Sequence, residues 1–248
     1  MEIEFKNYIK KEKDEIIFDD LNLKITSSKI YAVVGDDNSN KDKLFLNLKK
    51  SKNVNLNNAK ISIIEKDNTL LNENIKYLKY LYKHSKIKDE DKILELISLL
   101  EIDKNIIDSN LNELNNYYLK LLMIIINIVN GSNVIVLKEP FYKMNADNEN
   151  SFIRILKLLK KEYEITFIIL TKNTNIIYKF IDYFFVLYRG KIVLEGTREE
   201  LENINSDYGI EKPEICSFIS IIRKKYDKYF RSFNDVRDLV KEIYRCTR

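Results

Sequence analysis

The chain has 248 residues, of which 45% are apolar and 32% are charged, and its net charge at pH 7 is +4. This composition is typical of a folded globular protein and excludes a largely disordered chain. The basic excess is small and interleaved with acidic residues, so no nucleic acid is expected as a partner. The longest largely apolar stretch, Leu121 to Val129, is too short to cross a bilayer. Because Cys216 and Cys246 are the only cysteines, a reducing cytosol without structural disulfides is expected.

Strand patterns dominate the first part of the chain. Alternating apolar residues predict short strands at Glu2–Phe5 and Leu21–Ile25, joined by a charged turn. A buried strand at residues 29–35 ends at a glycine, and a further strand is predicted at residues 60–64. Between these two, a helix is predicted through Leu44, Leu46 and Leu48.

The middle of the chain changes to helical spacing. From about residue 72 to residue 130, apolar residues recur every three or four positions, which predicts helices. Strands return at residues 134–137, 166–170 and 183–188, with helices between them. A strand–helix core interrupted by a helical insert indicates an α/β domain with a helical subdomain. Two amphipathic helices are predicted from Pro213 onward. The second would start at a Ser232 cap and carry one apolar face, formed by Val236, Leu239, Val240 and Ile243.

A polar loop follows the strand that ends at Gly35, and it reads Gly-Asp-Asp-Asn-Ser-Asn-Lys-Asp over residues 35–42. A strand, a glycine-containing loop and Lys41 are the parts of a phosphate-binding loop, whose motif is G-x-x-x-x-G-K-[ST]. A glycine and a lysine six positions apart are a weak signal alone, so the interpretation depends on the rest of the chain.

Two later segments match one family. Residues 134–140, an apolar strand followed by Lys-Glu-Pro, resemble the Walker B segment of ABC transporter ATP-binding subunits. Residues 182–197 resemble that family's closing segment, including both of its glycines. The spacing from Leu114 to Pro140 equals the family's spacing between its signature sequence and Walker B. The resemblance is collinear over residues 1–205.

The resemblance implies an α/β fold of the ABC type, a P-loop nucleotide-binding domain with an antiparallel β subdomain, a mixed core sheet and a helical subdomain. Residues 1–205 would form this domain, with the helical subdomain at about 72–130. Residues 206–248 would form a C-terminal helical extension.

The nucleotide-binding positions implied by the resemblance are degenerate, and they are Gly35, Asn38, Ser39, Asn40, Lys41 and Asp42. Asn38 and Asn40 replace glycines, and Asp42 replaces the hydroxyl residue that coordinates Mg²⁺ in the family. Asn tolerates positive φ, so the loop could keep its path, but its side chain would crowd a phosphate. Carboxylates about 4 Å from a phosphate would repel it by several kcal/mol.

The remaining family positions are replaced too. Lys138 stands where the Walker B aspartate helps hold Mg²⁺, so no metal site is expected. Glu139 matches the catalytic glutamate but is not expected to be active. Lys66 and Lys172 replace the metal-sensing glutamine and the switch histidine. The degenerate signature consists of Leu114, Asn115, Asn116, Tyr117 and Tyr118.

Only five glycines are present, and those of the closing segment remain while the family's phosphate-contacting glycines do not. This selective loss indicates that the fold is kept and catalysis is lost. We therefore expect a non-hydrolysing, structural or regulatory subunit of an ABC transporter. It would lie on the cytoplasmic face of the membrane and bind a membrane-spanning subunit. It would also form a homodimer or a heterodimer with another ABC subunit.

Two alternatives stay open. The first is a subunit with weak or Mg²⁺-independent nucleotide binding and residual ATPase activity, in which Lys138 supplies the missing positive charge. The second is a stand-alone regulatory or immunity-type interaction protein. No cofactor is expected under the main hypothesis, and any binding of ATP with Mg²⁺ is expected to be weak.

The replaced residues carry charges that need partners if the site is empty. Buried charges are costly when unpaired, so the replacements should pair with each other. We expect an ion pair between Asp42 and Lys138 at the metal position. We also expect Lys172 to approach Glu139 at the terminal-phosphate position.

Overall fold

The computed structural model of the chain describes residues 1–48, 51, 53–67, 75–85, 90–204, 206–226, 240–241 and 244–245. Its central layer is a six-stranded mixed sheet. In spatial order the strands are β5 (Ile61–Ile64), β6 (Val134–Lys138), β7 (Thr166–Thr171), β3 (Ile30–Val34), β8 (Tyr183–Tyr188) and β9 (Lys191–Thr197). The first five are parallel, and β9 is antiparallel to β8. The predicted strands of this sheet are confirmed.

A second, antiparallel sheet covers one face of the first. Its order is β2 (Glu15–Thr26), β1 (Glu2–Glu12) and β4 (Val54–Asn57). The two strands predicted near the start of the chain are confirmed and are longer than the alternating pattern indicated. Strand β4 was not predicted, because it has only four residues and two of them are asparagine, which is depleted in strands.

Helices cover the other face of the central sheet. They are α1 (Tyr77–His84), α2 (Glu90–Leu99), α3 (Lys104–Asp108), α4 (Asn116–Val129), α5 (Ala146–Glu162), α6 (Thr174–Ile177) and α7 (Glu214–Tyr226). The first four lie where helical spacing predicted helices. Among the described residues, none of the helices is both long and apolar enough to span a bilayer.

Strand β3 shows how the layers form. Ile30, Ala32 and Val34 pack with the helices, whereas Tyr31 and Val33 pack with the antiparallel sheet. Because all five residues are buried, the strand reads as a continuous apolar run rather than an alternating one. The α/β fold with an antiparallel sheet, a mixed sheet and helices is therefore confirmed.

The helix predicted through Leu44, Leu46 and Leu48 is wrong. Lys41–Lys43 form a single 3-10 turn, and the backbone bonds that follow span three residues rather than four. Asn47, with φ of 62°, interrupts any continuation. Leu44 and Leu48 are nevertheless buried against the antiparallel sheet. The apolar spacing thus reflects burial, which an irregular turn can provide as well as a helix.

Only the first of the two predicted tail helices can be compared with the structure. Helix α7 corresponds to it. In the second, Ser232, Val236, Leu239 and Ile243 lie outside the described residues, and only Val240 is described, as an exposed side chain.

Candidate functional site

The loops that follow the carboxyl ends of the parallel strands surround a cleft of about 600 Å³. Such an edge is where α/β sheets place their ligand sites. The cleft brings together most of the sequence-predicted charged residues, namely Lys41, Asp42, Lys66, Lys138, Glu139 and Lys172. The residues of the degenerate signature do not line it. Among the described residues, no group of three or more His, Cys, Asp and Glu side chains is arranged to hold a metal ion.

The loop after β3 is closed by bonds within itself. The Asp36 carbonyl accepts the Ser39 hydroxyl at 2.8 Å, the Ser39 N–H at 3.3 Å and the Lys41 ammonium at 3.1 Å. The Asp36 carboxylate accepts the Asn38 N–H at 3.2 Å. Ser39 and Lys41 are buried, with 1% and 3% of their surface exposed. Four donors of the loop, namely the Asn38 N–H, the Ser39 N–H, the Ser39 hydroxyl and the Lys41 ammonium, are therefore bonded to Asp36, a role that the motif spacing did not reveal.

Gly35 and Asn40 give this loop its shape. A side chain at Gly35 would collide with the Ser39 side chain, and its Cβ would lie 2.8 Å from the Leu187 carbonyl oxygen. Asn40 adopts a left-handed conformation with φ of 60°, as expected for an asparagine in place of a glycine. Within the described residues 41–48, Lys41–Lys43 form a 3-10 turn, so the loop does not lead directly into a long helix whose N-terminus would attract anions.

Lys138 pairs with Glu65 rather than with Asp42, so the expected pairing at the metal position is wrong. The two side chains lie 2.9 Å apart, and Lys138 is only 13% exposed. Strand register explains the choice. Ile64 pairs with Leu137 in neighbouring parallel strands, which places the next residues, Glu65 and Lys138, side by side. An ammonium in this position does not fit a divalent cation.

Glu139 is held by two donors from the segment after β7. One carboxylate oxygen accepts the Thr171 hydroxyl at 2.6 Å, and the other accepts the Lys172 N–H at 3.1 Å. Its backbone is strained, with φ of 37°. The Glu139 backbone N–H donates to the Leu170 carbonyl at 2.8 Å, which continues the ladder past the end of β6.

The Lys172 ammonium pairs with Asp37 at 2.8 Å and not, as had been expected, with Glu139. Only the backbone N–H of Lys172 contacts Glu139. The hydrogen bond and charge of Lys172 lower the pKa of Asp37, and those of Asp37 raise the pKa of Lys172. Both side chains are well exposed, so this pair contributes little to stability. It does connect the loop after β3 with the segment after β7.

Lys66, the predicted substitute for the metal-sensing glutamine, lies at the rim of the cleft. Its ammonium is 4.4 Å from the centre of the Tyr142 ring, a cation–π distance. Lys143 is 5.1 Å from the same ring and pairs with Asp67 at 2.8 Å. These contacts direct the Lys66 side chain toward an aromatic neighbour.

The degenerate signature forms the start of α4. The Asn115 side chain accepts the Tyr118 N–H and caps the helix. Asn116 is buried and donates to the carbonyls of Lys66 and Tyr142. Tyr117 is buried as well. Leu114 and Tyr118 are half-buried and pack against the same core as Tyr117. These side chains therefore serve the chain's own packing.

Lys120 is a site residue that sequence analysis missed. It is fully buried in α4, and its ammonium donates to the carbonyls of Glu65 at 3.1 Å and Lys66 at 2.8 Å. Burial lowers the pKa of this ammonium to about 8. The available signal was a single lysine between Leu119 and Leu121, inside a run that otherwise predicts a buried helix face.

Tyr8 is an aromatic residue of strand β1. It is 5% exposed and packs against Phe5 and Phe18 in the core between the two sheets. The ring is therefore part of the core and does not face the cleft.

No protein-family model matches the chain. A protein of Clostridium acetobutylicum that is named as an ABC transporter ATP-binding protein is 20% identical over 258 residues. The match covers 90% of this chain and 91% of that protein. Several other curated relatives are matched over about half of their own length or less.

Solved structures show the same architecture. The cbiO1 protein from Clostridium perfringens, described as part of the ABC transporter complex cbiONQ, has a TM-score of 0.73 and 17% identity. The match covers 91% of this chain and 95% of that one. A dimeric bacterial ABC transporter cassette has a TM-score of 0.62 and 18% identity, covering 79% of this chain and 98% of that one. These likenesses support the fold.

The buried ammonium of Lys120 leads to a pH-dependent prediction. Its folded pKa of about 8 lies below the ordinary lysine value of 10.5, so the folded state loses the proton first as pH rises. The penalty for burying the charge is full below pH 8 and disappears toward pH 10.5. From pH 8 to pH 10, the free energy of unfolding of the wild type should therefore rise by about 2 kcal/mol relative to Lys120→Met. Urea unfolding at each pH measures the difference.

Lys157→Met, which removes an exposed lysine from α5, is the matched control for this measurement. Parallel pH profiles for the wild type and Lys120→Met would contradict a depressed pKa in the folded state.

The pairing of Lys138 can be tested by a double-mutant cycle. Lys138→Met combined with Glu65→Gln should show a coupling free energy of about 0.5 kcal/mol, modest because Glu65 is 62% exposed. Lys138→Met combined with Asp42→Asn should show none. Unfolding free energies from urea titration provide both values. A larger coupling with Asp42 than with Glu65 would restore the pairing expected from the sequence.

Proposed function

We propose that this chain belongs to the family of ATP-binding subunits of ABC transporters and has a non-hydrolysing role in it. The observation that carries the proposal is the closed loop after β3. The Ser39 hydroxyl and the Lys41 ammonium both donate to the Asp36 carbonyl. Both residues are buried inside the loop that a phosphate would have to enter. To bind a phosphate, the loop would have to break these bonds and move buried groups, which costs free energy.

The charges around the cleft support the same role. Lys138 is neutralised by Glu65 and Lys172 by Asp37, so neither is available to an anion without losing its partner. Asp42, Glu139 and Glu149 line the same cleft and would repel a polyphosphate. With Lys138 at the expected Mg²⁺ position, no cation would offset this repulsion.

The position of Glu139 adds to this picture. A catalytic base must be oriented toward the water that it activates. Each oxygen of Glu139 accepts one hydrogen bond, from the Thr171 hydroxyl and from the Lys172 N–H, and these bonds orient the carboxylate toward the segment after β7. In the proposed role, Glu139 connects β6 with the segment after β7 and does not act as a base.

The proposed partners follow from the family. The chain would lie on the cytoplasmic side of a membrane-spanning subunit and pair with another ABC subunit, as the similar dimeric cassette pairs with its own copy. Asn116 and Tyr117 face inward, so this chain would offer a partner's nucleotide site little of the usual signature. In such a pair, ATP would be hydrolysed by the partner subunit or would not be hydrolysed at all.

A second candidate is metal-independent nucleotide binding. It is favoured by the four lysines that line one cleft, Lys41, Lys66, Lys138 and Lys172. This candidate predicts binding that persists when Mg²⁺ is removed. The other alternative, a stand-alone interaction protein, can be distinguished by its partners, because such a protein would purify without any membrane subunit.

The main proposal predicts that the purified chain has no measurable ATPase activity. The expected turnover is far below the ordinary enzyme range of about 1 s⁻¹ or more. Isothermal titration with ATP should detect no binding, either with Mg²⁺ or with a chelator. The Glu139→Gln variant is the control, and it should give the same background rate as the wild type. Turnover that Glu139→Gln removes would refute the proposal, and binding only with the chelator would favour the second candidate.

Repair of a single position should fail. Lys138→Asp introduces the family's Walker B carboxylate, yet the loop after β3 remains closed and the signature side chains remain buried. The new carboxylate would also face Glu65, which has lost its cation, so stability should fall by about 1 kcal/mol. ATPase assays and thermal unfolding measure the two effects. Recovery of Mg²⁺-dependent turnover in this variant would show that the loop opens readily.

A further inference from the structure

The segment Tyr208–Glu214, here called the strap, leads into helix α7, whose first residue is Glu214, and passes beside the loop after β3. Gly209 of the strap lies next to the side chain of Asp36. A Cβ at Gly209 would lie 3.3 Å from an Asp36 carboxylate oxygen and 3.5 Å from its Cγ. Gly209 has φ of +71°, a conformation that glycine adopts without strain. The strap thus meets the residue that closes the loop.

The strap is fixed at its other end to α6, the short helix after β7. The hydroxyl of Thr174, a buried residue, donates to the Glu211 carbonyl at 2.7 Å. Asn175 and Glu214 make two bonds with each other. The Glu214 N–H donates to the Asn175 side-chain oxygen at 2.7 Å, and the Asn175 amide donates to the Glu214 carboxylate at 3.3 Å.

We propose that the strap helps to hold the loop after β3 in its closed conformation. Gly209 confines the Asp36 side chain on one side, and Asp36 accepts hydrogen bonds from Asn38, Ser39 and Lys41 on the other. Through α6 it also joins this loop to the segment that carries Lys172. The inference rests on the proposed non-hydrolysing function, since it explains how the loop and this segment stay joined without a bound nucleotide.

The strap also gives helix α7 a route to the cleft. Glu214 is the first residue of α7, and Phe218 and Ile221 on this helix are exposed. A displacement of α7 would pull on Glu214 and Glu211, whose bonds to α6 would have to break. The loop after β3 would then lose the contact at Gly209. The position of α7 therefore controls the loop.

Two glycine variants of the full chain test the contact. Gly209→Ala introduces a Cβ against Asp36, whereas Gly131→Ala introduces one where only the Lys60 ammonium lies within 4 Å, at 3.7 Å. Both positions have positive φ, +71° and +83°, so the backbone strain is matched. The readout is the exchange rate of the Asn38 and Ser39 amide hydrogens by NMR, without nucleotide.

The amides of Asn38 and Ser39 should exchange about fivefold faster in Gly209→Ala, as expected for the loss of about one net hydrogen bond. Gly131→Ala should leave these rates unchanged once the difference in overall stability is subtracted. Equal rates in the two variants would overturn the proposal.

A second pair of variants covers the case in which Gly209→Ala does not fold. Asn175→Ala removes both bonds to Glu214 without altering a glycine. Asn133→Ala is its match, because Asn133 also makes two bonds to a distant segment, at Asn58 and Lys60. Faster exchange of the loop amides in Asn175→Ala alone supports the strap, and its absence refutes it. A negative result for the strap would not change the ATPase and titration results, which test the proposed function separately. Nucleotide binding by the wild type would refute the proposed function whatever the exchange rates are.

Discussion

Charged side chains meet at the carboxyl edge of the central sheet, and the arrangement of the cleft follows from the need to neutralise them. Parallel strands end together there, so the residues after β3, β5, β6 and β7 come within a few ångströms of each other. In a partly buried cleft an unpaired charge is costly, and three of the lysines that line it contact a carboxylate or a carbonyl. Lys138 pairs with Glu65, Lys172 pairs with Asp37, and Lys41 donates to the Asp36 carbonyl. The first two contacts join neighbouring loops, and the third closes the loop after β3.

These contacts supply the hydrogen-bond acceptors that a bound phosphate would otherwise supply. A phosphate-binding loop without a ligand has backbone N–H groups that lack an acceptor. In this chain Asp36 is that acceptor, through both its carbonyl and its carboxylate. The 3-10 turn at Lys41–Lys43 replaces the helix whose dipole would favour an anion. In the proposed role, the same residues that stabilise the closed loop oppose nucleotide binding.

The helical part of the molecule is joined to the sheet edge in a similar manner. Lys120 and Asn116 of α4 donate to the carbonyls of the two residues that follow β5, Glu65 and Lys66. A fully buried ammonium is expensive to desolvate, and its two carbonyl acceptors offset part of that cost. The result is a fixed connection between α4 and the rim of the cleft.

The strands and most helices could be predicted from the sequence because burial itself determines the pattern. Ile30–Val34 are buried on both faces and so form an apolar run, while α4 carries apolar residues on nearly every side. The resemblance to the ABC family likewise came from motif spacing, which is a property of the chain order. The same logic failed at Leu44–Leu48, since apolar spacing reports burial and does not distinguish a helix from a compact turn.

The partners of the charged side chains were decided by the tertiary structure alone. The sequence determined that Lys138 would stand at the edge of the sheet and would need an anion. It did not determine that Glu65 would be that anion, because Glu65 is 73 residues away. The register of β5 and β6, which places Ile64 beside Leu137, made the choice. Coulomb attraction depends on distance in space, and only the packed sheet sets that distance.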